Sequence, residues 1–180
     1  MKINVHAGHN PAGKIACGAS DLLDESTEAR KIVKYLIKYL KKKGHTVYNC
    51  TVNNGTSQKD VLKKIVTMCN KHQVDLDISI HLNSGRNDRK GDNKVGGCEV
   101  LVTADTGIKK AAAKGVRREM SRIGFTDRGT KVSNGLYFLN NTKAKAILVE
   151  VCFVDDRDDY KLYYKVGAKE IAKAIANGIA

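Results

Sequence analysis

AILVEVCFV, residues 146–154, is the stretch on which the fold turns. All but one of its residues are apolar, the pattern of a strand covered on both faces, as in the middle of a parallel sheet. Glu150 interrupts it at the centre, and a carboxyl there is costly unless a nearby cation compensates it. Working outward, DLDISIH (75–81) alternates Leu76, Ile78 and Ile80, and KINVH (2–6) places Ile3 and Val5 on one face. Both read as strands. HTVYNC (45–50), CEVLV (98–102) and GLYFL (135–139) complete an expected set of six.

Between them lie helical periodicities. Ile32, Val33, Leu36, Ile37 and Leu40 make one stripe over 25–43, with Lys34, Lys38 and Lys41–Lys43 on the wet face and Gly44 as the stop. Residues 57–72 repeat the pattern with Ser57 as N-cap, 107–123 form a helix closed by Gly124, and a last helix covers about 167–179. A polar loop, 83–97, is long enough to carry function. Strand and helix alternate through all 180 residues without an internal repeat or a Pro/Gly/Ser linker. The expectation is one α/β domain with a mostly parallel mixed sheet of about six strands flanked by helices.

A hydrophobic fraction of 42% and a charged fraction of 28% exclude a disordered chain. No apolar run approaches the ~18 residues of a membrane span, so no membrane insertion is expected. The start, MKINVHAGHNP, is too polar for the core of a secretory signal. Five cysteines without CxxC spacing suit a reducing compartment better than a disulfide framework. Thirty-two Lys and Arg against nineteen Asp and Glu leave a formal charge of +13, which attracts polyanions: nucleic acid, anionic lipid or an anionic cell wall.

In open α/β sheets, sites form outside the carboxyl ends of the strands. There the chain places His6, Ala7, Gly8, His9 and Asn10 after the first strand, and His81, Leu82 and Asn83 after the strand at 75–81. Asp24 and Glu25 open the first long helix, with Glu28 one turn on, and Glu150 sits in the apolar strand. Two histidines and a glutamate suit catalytic zinc, and a second carboxylate beside it suits a base for hydrolysis. His6, inside a strand, reads as a core or supporting residue, and Asp24, Glu25 and Glu28 remain alternatives for the acidic ligand. Two other readings stand beside this one. A cysteine hydrolase would use Cys152 or Cys98, both in apolar strands where a thiolate is disfavoured. A nucleic-acid-binding protein would account for the charge, but the basic residues ride on wet helix faces, and Trp is absent, with only three Phe for stacking.

VHAGHN (5–10), LLDESTEARKIVKYLIKYLKKKGHTV (22–47), DLDISIHLNS (75–84), RGTKV (128–132) and ILVEVCFVDDRDD (147–159) together resemble the type 3 zinc-dependent N-acetylmuramoyl-L-alanine amidases, which include phage endolysin catalytic domains. The resemblance implies a zinc-exopeptidase-like fold and one Zn2+ per chain, held by His9, Glu25 and His81. It implies Glu150 as the catalytic base; it carries over no substrate contacts in the 83–97 loop, where Asn83, two residues after His81, is a separate candidate for substrate binding. The implied reaction is cleavage of the amide between N-acetylmuramic acid and L-alanine of the stem peptide, lysing the cell wall. Peptidoglycan is the implied partner, with anionic wall polymers as a second; specific nucleic acid is not, and a monomer is expected. Residues 1–180 would be a single catalytic domain, any wall-binding domain lying outside this chain. With no export signal, a phage lysin would wait in the host cytoplasm and act at the wall after release. Two departures from the family pattern are Asn10-Pro11-Ala12-Gly13 in place of a Gly-rich turn, and Cys152 where Gly is common.

Overall fold

The computed structural model describes residues 1–179. Six strands form one sheet in the order β2-β1-β3-β6-β4-β5. They are β1 (Lys2–Ala7), β2 (Thr46–Asn49), β3 (Leu76–Asn83), β4 (Cys98–Val102), β5 (Asp127–Val132) and β6 (Lys145–Phe153). All neighbours run parallel except β4 and β6, which are antiparallel. Five helices cover the sheet: α1 (Glu25–Lys42), α2 (Gln58–Cys69), α3 (Gly107–Arg122), α4 (Tyr137–Asn141) and α5 (Arg157–Gly178). None of them is long and apolar enough to cross a membrane.

Alternation along the strands divides the core in two. Ile147, Val149 and Val151 of β6 join Ile3, Val5, Ile78 and Ile80 in a large cluster beneath α1, α3 and α5. Ala146 and Leu148 face the other way, into a smaller cluster under α2 and α4. Glu150, two residues beyond Leu148, therefore lies on the α2/α4 side, which the smaller helices leave partly open.

GLYFL does not form a strand. Leu136 ends the connection and Tyr137–Asn141 make a short helix, with Phe138 and Leu139 buried in the smaller cluster. Asn140 holds this turn by donating its side-chain amide to the Asn134 and Leu136 carbonyls. The sixth strand is instead β5, DRGTKV, an edge strand with no buried residue. Its charges blunt an open edge, so apolar alternation cannot reveal it. The last helix also begins ten residues earlier than expected. Asp156 caps it, accepting from the Asp158 and Asp159 amides, and Gly167 (φ 81°, ψ 151°) puts a kink where the apolar periodicity starts.

Helices α3 and α5 meet on glycine. A Cβ on Gly115 would overlap the Gly178 carbonyl oxygen, and backbone cannot step aside as a side chain can. Gly115→Ala should therefore lower the free energy of unfolding by about 1–3 kcal/mol, read from the urea midpoint at unchanged slope.

Candidate active site

The carboxyl ends of β1, β3 and β6 converge on one side of the sheet. The β1–α1 connection brings His9 there, β3 brings His81, and the first turn of α1 brings Glu25. One ligand atom from each lies within 4.8 Å of the other two. Glu25 Oε1 is 3.2 Å from His9 Nε2 and 2.9 Å from His81 Nδ1, and it also accepts from the Leu82 amide. Glu25 Oε2 accepts from the Ala19 amide. Burial alone would raise the Glu25 pKa, but the hydrogen bonds and charge of His81 and His9 outweigh it and hold the carboxyl far below the usual range.

The rivals within α1 point elsewhere. Asp24 is the N-cap, accepting from the Thr27 amide. Glu28 faces α5, where it accepts from the Tyr163 hydroxyl at 2.7 Å, and it pairs with Lys31 at 2.8 Å. Two glycines shape the cluster. A Cβ on Gly8 would overlap the His81 imidazole, and Gly18, at φ +82°, has Glu25 and His9 where its side chain would be. The donor set of two imidazoles and a carboxylate fits zinc, and the His9 Nδ1 atom has no hydrogen-bond partner among the described residues.

Glu150 stands directly across from His81 in the β3–β6 register. Its Oε2 atom has no hydrogen-bond partner among the described residues. Burial, reinforced by the charges of Glu25 and Glu99, pushes its pKa up to about 8. Glu99 is opposite Glu150 on the other flank, paired with Arg128 at 3.1 Å and accepting from the Asn83 amide at 3.0 Å. Asn83 is thus committed to Glu99 and does not line the cleft that holds His9, His81 and Glu150. A cleft of about 280 Å³ opens between β3, β6, α2 and α4, with His9, His81 and Glu150 in its wall and Leu62, Leu136 and Tyr137 among its apolar lining.

The α/β periodicity leaves several site residues unread. Arg30 donates to the His9 carbonyl at 2.8 Å and the Val52 carbonyl at 2.9 Å, clamping the histidine loop from α1. Asn10 donates to the Ile15 and Gly55 carbonyls and accepts from the Gly55 amide. Ser79 also lines the cleft, beside His6, which the sequence offered as a core or supporting residue; the β1–β3 alternation is the one signal that could have found Ser79. The cysteine alternative loses its nucleophile. Cys152 and Cys98 are buried, and burial raises both thiols, the reverse of activation.

The model of the N-acetylmuramoyl-L-alanine amidase family matches residues 3–180. The chain belongs to this family. An uncharacterized protein of Clostridium perfringens (strain 13 / Type A) is 33% identical over 180 residues, 99% of this chain and 51% of that one. An endolysin of Bacillus phage SPP1 is 28% identical, covering 97% of this chain and 63% of its own. Among solved structures, the catalytic domain of the CD27L endolysin, described as targeting Clostridia difficile, superposes with a TM-score of 0.86 at 27% identity, over 99% of this chain and 96% of that one. The chain spans about half the length of the Clostridium perfringens relatives it matches.

A carboxyl whose pKa is raised by folding stabilises the fold below its unfolded pKa and loses that contribution as pH climbs through the folded value. With a chelator present, Glu150→Gln should therefore match the parent in stability near pH 4.5 and exceed it above pH 8, the gap opening between these limits. Thermal unfolding of both proteins across that range checks it.

Proposed function

We propose that this amidase chain is a single catalytic domain that hydrolyses the amide joining the lactyl group of N-acetylmuramic acid to L-alanine of the peptidoglycan stem peptide. The observation that carries the reading is the meeting of His9, Glu25 and His81 within 4.8 Å, with Glu150 across the strand pair from His81. His9, Glu25 and His81 are the residues that would hold a single zinc ion. When bound, zinc would supply Lewis-acid polarisation of the scissile carbonyl and a lowered pKa for the attacking water.

The remaining work belongs to the chain. Glu150 takes a proton from the attacking water and returns it to the departing nitrogen, a role suited to a carboxyl whose pKa is displaced toward neutrality. Glu25, held ionised by its two histidines, stays a carboxylate throughout. The two carboxyls thus divide ligand and proton-carrier roles by environment. Asn83 holds Glu99. The formal charge of +13 would gather the domain on anionic wall polymers. As a phage lysin, it would wait in the host cytoplasm and act on the wall after release.

Incubation with purified peptidoglycan should expose new alanine N-termini without new reducing sugars, lost on chelation and restored by zinc. New reducing sugars would make the protein a glycosidase and overturn the reading. Glu150→Gln should retain zinc and lose about 10²–10⁴ in turnover, whereas His81→Ala should lose zinc and turnover together. Metal content and end-group release, measured on the same samples, separate the two.

Charge-driven wall binding has its own signature. Lysis of whole cells should fall steeply from low salt to about 0.15 M, where the Debye length is near 8 Å, while cleavage of small soluble fragments stays level. Salt-independent lysis removes the polymer from the list of partners.

A further inference from the structure

The floor of the cleft carries more polar chemistry than the proton carrier accounts for. Beside Glu150, the cleft is lined by His6 of β1 and Ser79 of β3, which are paired across the two strands. Both are buried, at 1% and 0% exposure. His6 Nε2, Ser79 Oγ and Glu150 Oε2 all lack a hydrogen-bond partner among the described residues. A buried polar group without a partner is unfavourable, so three at one cleft call for a ligand that satisfies them.

The direction of those missing bonds can be read. His6 Nδ1 lies 3.2 Å from the Ala7 carbonyl, and a carbonyl oxygen only accepts, so Nδ1 carries the hydrogen. Nε2 is then a bare lone pair. Burial, opposed by that bond and helped by His81 and His9, lowers the His6 pKa to about 3, which keeps the ring neutral. The ring cannot readily turn away, because Phe138 packs edge-on against it with centroids 4.6 Å apart. The Ser79 hydroxyl can accept as well as donate. The floor thus offers two acceptors, His6 Nε2 and Ser79 Oγ, to an N–H group.

We propose that His6 Nε2 and Ser79 Oγ form the subsite for the nitrogen of the leaving amine, receiving the N–H that the scissile amide already bears while Glu150 supplies the second hydrogen. The proposal rests on the amidase reading above. Hydrolysis breaks the C–N bond, adds the water's hydroxyl to the acyl carbon, and returns the water's proton through Glu150 to the nitrogen. The nitrogen departs as an amine with two hydrogens on it, one facing Glu150 and one facing His6 and Ser79. The subsite is specific to amides, because the leaving oxygen of an ester has no hydrogen of its own to place there.

The test compares muramoyl-L-alanyl peptide with the ester in which the alanine nitrogen is replaced by oxygen. Ser79→Ala and His6→Phe should each cut kcat/KM on the amide about 10- to 100-fold and leave the ester nearly unchanged. Equal losses on both substrates would assign these residues a structural role and overturn the proposal. Binding to chelator-treated protein gives a second readout. By calorimetry, the wild type should bind the product peptide with its free α-amino group about tenfold more tightly than the deamino analogue, and both variants should lose that preference. A wild type without the preference overturns the subsite. Should His6→Phe unfold, Ser79→Ala carries both readouts alone. Failure of the amidase reading is a separate outcome, visible as wild-type protein releasing no alanine N-termini from peptidoglycan.

Discussion

One carboxylate ties the site together. Glu25 is 4% exposed, a position that an ionised group holds only when its lone pairs are filled. His9, His81 and the backbone amides of Leu82 and Ala19 fill them. Those four partners come from the loop after β1, the end of β3 and the entry to α1, so a single side chain fixes three segments against one another. Helix capping decides that Glu25 is the residue so placed. Asp24 stops the backbone at the N-cap, which turns Glu25 toward the sheet and leaves Glu28, one turn later, against Tyr163. The glycines follow from the same crowding, since Gly8 and Gly18 stand where any Cβ would strike His81, His9 or Glu25.

A second carboxyl lies within the field of the first, and the two are driven apart. Glu25 has two imidazoles hydrogen-bonded to it and stays ionised; Glu150 has no such partner and is pushed up to about 8. Glu99 adds to that push, although Arg128 and Asn83 hold it toward the far flank. The antiparallel placement of β4 is what brings Glu99 opposite Glu150. The reversal of strand direction at the β6–β4 pair therefore has an electrostatic consequence, because it adds a third, smaller contribution to those from burial and from Glu25.

The parallel core was legible because β1 and β3 alternate apolar with polar residues and β6 is an apolar run broken only by Glu150. What escaped was structure stabilised by other means. β5 has no buried residue, and α4 is five residues long, too short for any helical period to register. The first half of α5 is held by the Asp156 cap and by tyrosines rather than by an aliphatic stripe. In the site, His9, His81 and Glu150 stood out as polar residues at strand ends or inside an apolar run. Choosing Glu25 over Asp24 and Glu28 needed either a family pattern or the observed cap. Asn10 was visible as a residue at a strand end but not its bonds to Gly55, and Arg30 acts through backbone carbonyls, so no local pattern in the chain discloses it.

The same packing changes how the charge should be read. The acidic run after β6 looks like a solvated patch, yet Asp155, Asp156, Asp158 and Asp159 all turn inward. Asp155 accepts from the amides of Gly85, Arg86 and Asn87, Asp158 from Asn93, and Asp159 from Gly97, which pins the 83–97 loop beside the site. With Glu25, Glu28, Asp77 and Glu99 they make eight buried acidic residues of the nineteen in the chain, whereas no Lys or Arg is buried among the described residues. Most of these carboxyls accept internal hydrogen bonds; Glu28, Glu99, Asp156 and Asp158 also pair with Lys31, Arg128, Arg86 and Lys161, and the remaining cations are left in water. A polyanion at contact distance therefore meets a surface more basic than the formal +13 indicates, because short-range pairing depends on which charges are exposed rather than on their sum. The acids that hold the loop and the site in shape are, by being buried, also what leaves the outer face cationic.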